Sequence, residues 1–375
     1  MYQKKKGEKM NEIQKLSHTI VNYSLKLEKN ERVLITSYEE CLDLILALIE
    51  EIDKVGAIPF VRIKNDILNA KLLSCTKKSR IQTIHILKEQ EVENYDAFIN
   101  IRYTTNDYEE LKVENDILKQ IGEATIESNQ KRINERKWVL LNYPSKLDAY
   151  KAGMDTISYR NFAFDVMNLN YEEMNERIKP LKELMEKTDM VRIISPGTDL
   201  TFSIKDMPVI PCVGEANIPD GEIYTAPVLN SVNGKITYNV KSPYNGTIFE
   251  NVTLTFKDGK IIDCDSNQKE KMEEIFNTDD GARYVGEFSF GLNPKIMYPM
   301  GDILFDEKII GSIHFTPGAA YENAFNGNRS SVHWDLVLIQ RKEYGGGEIY
   351  FDHTLIRKDG LFVLPELTHL NYHLK

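Results

Sequence analysis

From about residue 10 to residue 144 the chain alternates stretches of helical apolar spacing with short, unbroken apolar runs. That alternation admits few folds. A helix expected over 10–28 leads into RVLIT at 32–36, a helix over 39–55 into IPFVRI at 58–63, and a helix over 77–91 into DAFINIR at 96–102. A further helical stretch, 107–133, precedes KWVLLNYP at 137–144. Helix and strand periods in turn are the mark of a doubly wound α/β domain, with its strands expected to be buried on both faces.

A doubly wound domain invites a nucleotide reading, which needs glycines after the first strand so that the backbone can approach a pyrophosphate. The sequence has TSYEECLD there, with neither GxGxxG nor a Walker lysine. The formal net charge of −10 supplies no basic stripe for phosphate contacts, so no nucleic-acid partner is expected. No run approaches the roughly 18 apolar residues of a membrane span, and the basic opening MYQKKKGEKM has no apolar segment behind it. Cys41, Cys75, Cys212 and Cys264 are far apart, as free thiols in a reducing cytoplasmic compartment would be.

The pattern changes after MVRIISPG, where Pro196 and Gly197 punctuate the chain. Short strands follow, separated by turn signals such as Pro219-Asp220-Gly221, Asn233-Gly234 and Asp258-Gly259. The expected organisation is a disordered extension over 1–9, an α/β doubly wound domain over 10–194, and a β-rich α+β domain over 195–375.

Polar residues able to do chemistry concentrate in that second half. In Ser331-Val332-His333-Trp334-Asp335, a strand would send His333 and Asp335 to one face and Trp334 to the other, as a metal ligand pair or as a solvated pair. His314 precedes a Pro317-Gly318 turn that can bring Tyr321 back beside it, although a lone imidazole also serves structural roles. Glu222 opens the strand EIYTAP at a rim. Glu287, inside YVGEFSFG, needs a cation or donor network if buried, and a salt bridge would meet that need. Three carboxylates, two imidazoles and a phenol would suit a dinuclear site if they converge. His18, His85, His353, His369 and His373 are expected to be structural or exposed. Glu322, Asp302 and Glu307 are candidate bases for which surface solvation is the simpler role.

Several segments, in order, resemble the M29 (thermophilic aminopeptidase) family: NEIQKLSHTIVNYSLKLEKNERVLI, SPGTDLTFSI, ANIPDGEIYTAP, YVGEFSFGLNP, IGSIHFTPGAAYENAF, SSVHWDLV and DGLFVLPEL. The resemblance implies a cytoplasmic, homodimeric metallo-aminopeptidase that releases N-terminal amino acids from short peptides by two-metal activation of water. It implies two divalent ions per chain (zinc, cobalt or manganese) held by Glu222, Glu287, His314, Tyr321, His333 and Asp335. In this reading Glu287 bridges, Glu222 and Asp335 ligate one ion and His314 the other, and Glu287 and Tyr321 take catalytic parts. The segment between Tyr321 and His333 is shorter than the family pattern, which bears on the pocket wall. Two rivals remain: a mononuclear Fe(II) ring-cleaving dioxygenase of the dihydroxypyridine type, using His314, His333 and Asp335, and a non-catalytic metal-binding member.

Overall fold

The computed structural model describes residues 10–106 and 113–374; the expected extension over 1–9 and the first residues of the expected 107–133 helix lie outside them. The chain forms two compact units. The first contains the described residues up to Leu169 together with Gly214–Pro219, and the second contains Asn170–Val213 and Asp220 onward. This division falls ahead of the Pro196-Gly197 turn at which the sequence reading divided the chain.

In the first unit, parallel strands Ile58–Ile63, Arg32–Ser37, Ala97–Arg102, Lys137–Asn142 and Asn217–Ile218 form one sheet in that spatial order. Asn11 opens the first helix, Glu12–His18, with a reciprocal capping box to Gln14. Helix Leu42–Lys54 presents Leu44, Ile45, Leu48 and Ile52 on one buried face, each contributing roughly 1.5–3 kcal/mol on burial. The central strands are buried as their apolar runs predict. IPFVRI is not: it is an edge strand paired on one side, with Ile58, Phe60, Val61 and Ile63 each 42–47% exposed. An unbroken apolar run marks a strand but does not say which strand ends up at the edge.

The second unit begins with helix Tyr171–Lys187, capped by Asn170 and buried along Tyr171, Met174, Ile178, Leu181 and Met185. Two sheets follow. One has eight strands, and the other has five in the order Val337–Ile339, Ser312–Pro317, Val285–Gly291, Glu222–Thr225 and Ile210–Cys212, all antiparallel. Aromatic rings from both sheets fill the space between them: Phe202 lies 5.0 Å from Phe288 and 5.0 Å from Phe315, and Phe290 lies 6.1 Å from Phe351. The α/β first unit and β-rich second unit are the fold class read from the sequence.

Candidate metal centre

The five-stranded sheet positions the site through its own period of two. Phe288 and Phe290 point into the aromatic core, so Glu287 and Ser289 point to the other face. On the neighbouring strand Ile313 and Phe315 face the core, which turns His314 and Thr316 outward beside them. The register pairs Ser289 with both His314 and Tyr224, Glu287 with Thr316, and Gly291 with Glu222. Four polar side chains of different strands therefore meet on one face because the apolar residues between them fill the core.

His333 and Asp335 arrive by another route. His333 forms an isolated bridge with Gly318, and regular strand structure resumes only at Val337, so the expected strand through HWD is not formed. The alternation survives. Trp334 turns away, 2% exposed, stacks 4.8 Å from Tyr244 and donates its indole N–H to Ser242 Oγ at 2.8 Å. Gly318 makes the approach feasible: at φ +106°, a Cβ there would lie 2.0 Å from the Val332 carbonyl oxygen. Asp279 ties down the preceding turn, accepting from the Ser331 N–H at 2.7 Å and from the Ser330 hydroxyl at 2.7 Å.

Five of the six sequence-selected residues gather as two triads sharing Glu287: Glu222, Glu287 and His314, and Glu287, His333 and Asp335. His314 Nε2 lies 3.1 Å from Glu287 Oε1 and 3.4 Å from Glu222 Oε2. His333 Nε2 lies 3.5 Å from Glu287 Oε2 and 3.3 Å from Asp335 Oδ1. Glu222 thus stands beside His314, and Asp335 beside His333. Tyr321 borders the cluster, its ring 4.8 Å from that of His333, and is 48% exposed.

Both imidazoles are held with one ring nitrogen toward the carboxylates. His314 Nδ1 contacts the Glu307 carbonyl at 3.1 Å and His333 Nδ1 the Ala319 carbonyl at 2.9 Å, so each Nδ1 donates and each Nε2 faces carboxylates. His333 Nε2 is buried and has no hydrogen-bond partner among the described residues. Thr316 donates to Asp335 Oδ1 at 2.7 Å. The electrostatics call for cations. Burial pushes the Glu287 and Glu222 carboxyls upward. Burial also opposes imidazolium at both histidines, yet the surrounding carboxylates outweigh it and push His314 and His333 up to about 10. Burial acts against ionised Asp335 as well, and His333 holds that carboxyl below its usual range. Divalent cations would satisfy the same negative field with softer demands on each oxygen, and the carboxylate-imidazole donor set fits zinc, cobalt or manganese.

The sequence reading passed over several neighbours. Lys308 is fully buried, with Nζ 3.8 Å from Glu222 Oε1 and in contact with Glu307. Glu307 is therefore not solvated surface: its side chain is 12% exposed. Glu322 does face solvent and pairs with Arg329 at 2.6 Å, whereas Asp302 caps helix Ile303–Asp306. Cys212 and Asp220 form a third group with Glu222. Of the other histidines, His18 contacts Glu51 at 2.8 Å, His85 the Ala124 carbonyl at 2.7 Å and His369 the Arg177 carbonyl at 2.7 Å. Alternation through SIHFTP could have placed Thr316 beside His314; no sequence period marks Lys308.

Residues 9–360 match the family described as thermophilic metalloprotease (M29). Aminopeptidase PepS of Streptococcus thermophilus is 33% identical over a stretch covering 38% of this chain and 41% of that protein. Aminopeptidase 2 of Geobacillus stearothermophilus is 34% identical over 32% of this chain and 34% of its own length. The matched stretches thus span less than half of these curated relatives. Wild-type AmpT from Thermus thermophilus has the same fold, with a TM-score of 0.80 at 18% identity over 94% of this chain and 99% of that one. With a family match running through both compact units and a carboxylate-histidine cluster suited to metal, the chain belongs to the thermophilic metalloprotease (M29) family.

Proposed function

We propose that the protein is a metal-dependent aminopeptidase that removes N-terminal amino acids from short peptides, using two divalent ions per chain. One observation carries this reading: the two oxygens of Glu287 address different histidines, Oε1 facing His314 and Oε2 facing His333. A carboxylate so placed is suited to bridge two cations. Glu222 and His314 would complete one ligand set, and His333 and Asp335 the other. A mononuclear oxygenase centre would need neither Glu222 nor Glu287. The names of the relatives support the choice of an exopeptidase.

When bound, such ions would polarise a scissile carbonyl and lower the pKa of a bound water toward about 7. The chain's own residues do the remaining work. Nδ1 donation from His314 and His333 keeps each Nε2 directed into the site, and the Thr316 hydroxyl holds Asp335 in orientation. Tyr321, half-exposed beside His333, would donate to the oxyanion of a tetrahedral intermediate. Thr316→Val removes the hydroxyl while keeping the branched shape. It should weaken metal affinity about 10–100-fold, read by competition with a chromogenic chelator, with the circular dichroism spectrum unchanged. Unaltered affinity would remove Thr316 from the scheme.

The reading as a whole is tested by stripping the protein of metal and assaying a panel of aminoacyl chromogenic amides before and after adding Zn²⁺, Co²⁺ or Mn²⁺. Activity should return with about two ions per chain. One iron per chain without amide hydrolysis would favour the dioxygenase, and metal uptake without turnover a binding protein. We further propose a cytoplasmic homodimer. Among the described residues no helix is long and apolar enough to cross a membrane, and the exposed apolar edge strand Ile58–Ile63 offers surface for association. Sedimentation of the metal-loaded protein as a monomer would remove the dimer.

A further inference from the structure

The parallel sheet of the first unit is packed in two different ways along one face. Near the amino ends of its strands, Leu34, Val92 and Phe98 form a buried apolar cluster, with Tyr95 and Trp138 against it. Two residues further along, on the same face by the period of two, the register aligns Arg62, Thr36, Asn100 and Leu140 in a row across four strands. The core does not continue there. A hollow of about 230 Å³ opens instead, lined by Lys64, Arg102 and Arg132 as well as Thr36 and Asn100. An adjoining lobe of about 140 Å³ shares Thr36, Lys64, Asn100 and Arg132, and adds Arg62 and Lys88.

Five cationic side chains line this cleft in a chain whose net charge is −10. The acid lining it, Glu91, already pairs with Arg62 at 2.5 Å and Lys88 at 3.0 Å. Among the described residues Lys64, Arg102 and Arg132 form no ion pair, and neither Thr36 nor Asn100 makes a side-chain hydrogen bond. Scattered surface cations would be unremarkable. Here they converge on a hollow from two strand ends and two helices, where inward-facing apolar residues would have given a better-packed core. Partial desolvation of the ammonium of Lys64, a residue exposed overall, lowers its affinity for its proton, and Lys88 and Arg102 lower it further, a repulsion that an anion would relieve.

Position adds an independent argument. Thr36, Arg62, Asn100 and Arg102 lie at the carboxyl ends of parallel strands, where open α/β sheets hold their ligands. The lack of a glycine-rich turn after Arg32–Ser37 argues against a dinucleotide pyrophosphate but leaves side-chain recognition of a smaller anion open. Arg102 and Arg132 can each bind an oxyanion through two N–H groups, Lys64 can add charge, and Thr36 and Asn100 supply neutral hydrogen bonds. Trp138 and Tyr38 also line the larger lobe and can cover the uncharged part of a ligand.

We propose that this cleft is a binding site for a small phosphate-bearing anion, built from residues of the first unit and sharing none with the candidate metal centre of the second. The test uses the full chain, stripped of metal so that metal-bound phosphate cannot contribute. Inorganic phosphate and glycerol phosphate are titrated calorimetrically at constant ionic strength, with chloride as the control anion. One anion should bind per chain, and Lys64→Gln and Arg132→Gln should each weaken binding about tenfold. If either variant loses its circular dichroism signature, Arg102→Gln, at an exposed position, replaces it. Tighter binding of glycerol phosphate would identify a phosphate ester as the ligand class, and tighter binding of inorganic phosphate the free ion. Absence of binding, equal competition by chloride, or unchanged affinity in the folded variants would overturn the proposal.

Discussion

Glu287→Ala should lose both amide hydrolysis and metal, with turnover falling on the order of 10³-fold or more and metal content dropping below one ion per chain. The expectation follows from the shared position of Glu287. Its removal takes an oxygen from each triad at once, whereas removing Glu222 or Asp335 takes one from a single triad. Glu287→Gln is the sharper variant because it keeps the shape and removes the charge. It should leave the sheet intact, since Glu287 packs beside Thr316 in a register set by the flanking phenylalanines. Activity and metal content are measured on the same preparation, with the metal determined by mass spectrometry. Full activity in either variant would eliminate the bridging role. Loss of one ion with the other retained at normal affinity would eliminate it as well, by making Glu287 a ligand of only one ion.

Much of this site was legible because it rests on local rules. Period-two alternation through VGEFSFG and SIHFTP separates a core face from a polar face, and the same rule read HWD correctly for Trp334 although no regular strand forms there. Which of the candidate residues stand beside one another was not legible. Whether Asp335 meets Glu222 or His333 depends on how Gly318 folds the chain back onto the 332–333 segment, a long-range fact that no spacing encodes. Glu307 and Lys308 show the converse problem: adjacent charged residues in DEKII look like a solvated turn, and only the tertiary fold buries them against Glu222. In the first unit the apolar runs announced the strands, but not that IPFVRI would stand at the edge. Asn100 and Arg102, polar residues inside the apolar run DAFINIR, line the cationic cleft, and no period in that run marks them for it.

Lys308→Met should destabilise the second unit by ~3–5 kcal/mol, a larger effect than a surface ion pair would give. The lysine is fully buried, and the Glu222 and Glu307 side chains it contacts are 7% and 12% exposed. Burial disfavours its charge, but Glu222, Glu307 and Asp220 more than compensate and keep the ammonium protonated. Methionine retains most of the volume, so the loss would measure two buried carboxylates left without their cation rather than a cavity. The chain has two tryptophans, Trp138 in the first unit and Trp334 in the second. In a Trp138→Phe background, urea unfolding followed by Trp334 fluorescence reports on the second unit alone. Adding Glu307→Gln should recover part of the loss, because one uncompensated charge is then removed while Glu222 remains. A Lys308→Met protein as stable as its parent would mean that the carboxylates are already neutral or reach water, and the lysine would then be a bystander to the site. Destabilisation that Glu307→Gln leaves untouched would assign the whole effect to Glu222, and Lys308 would then act solely on the metal-facing carboxylate.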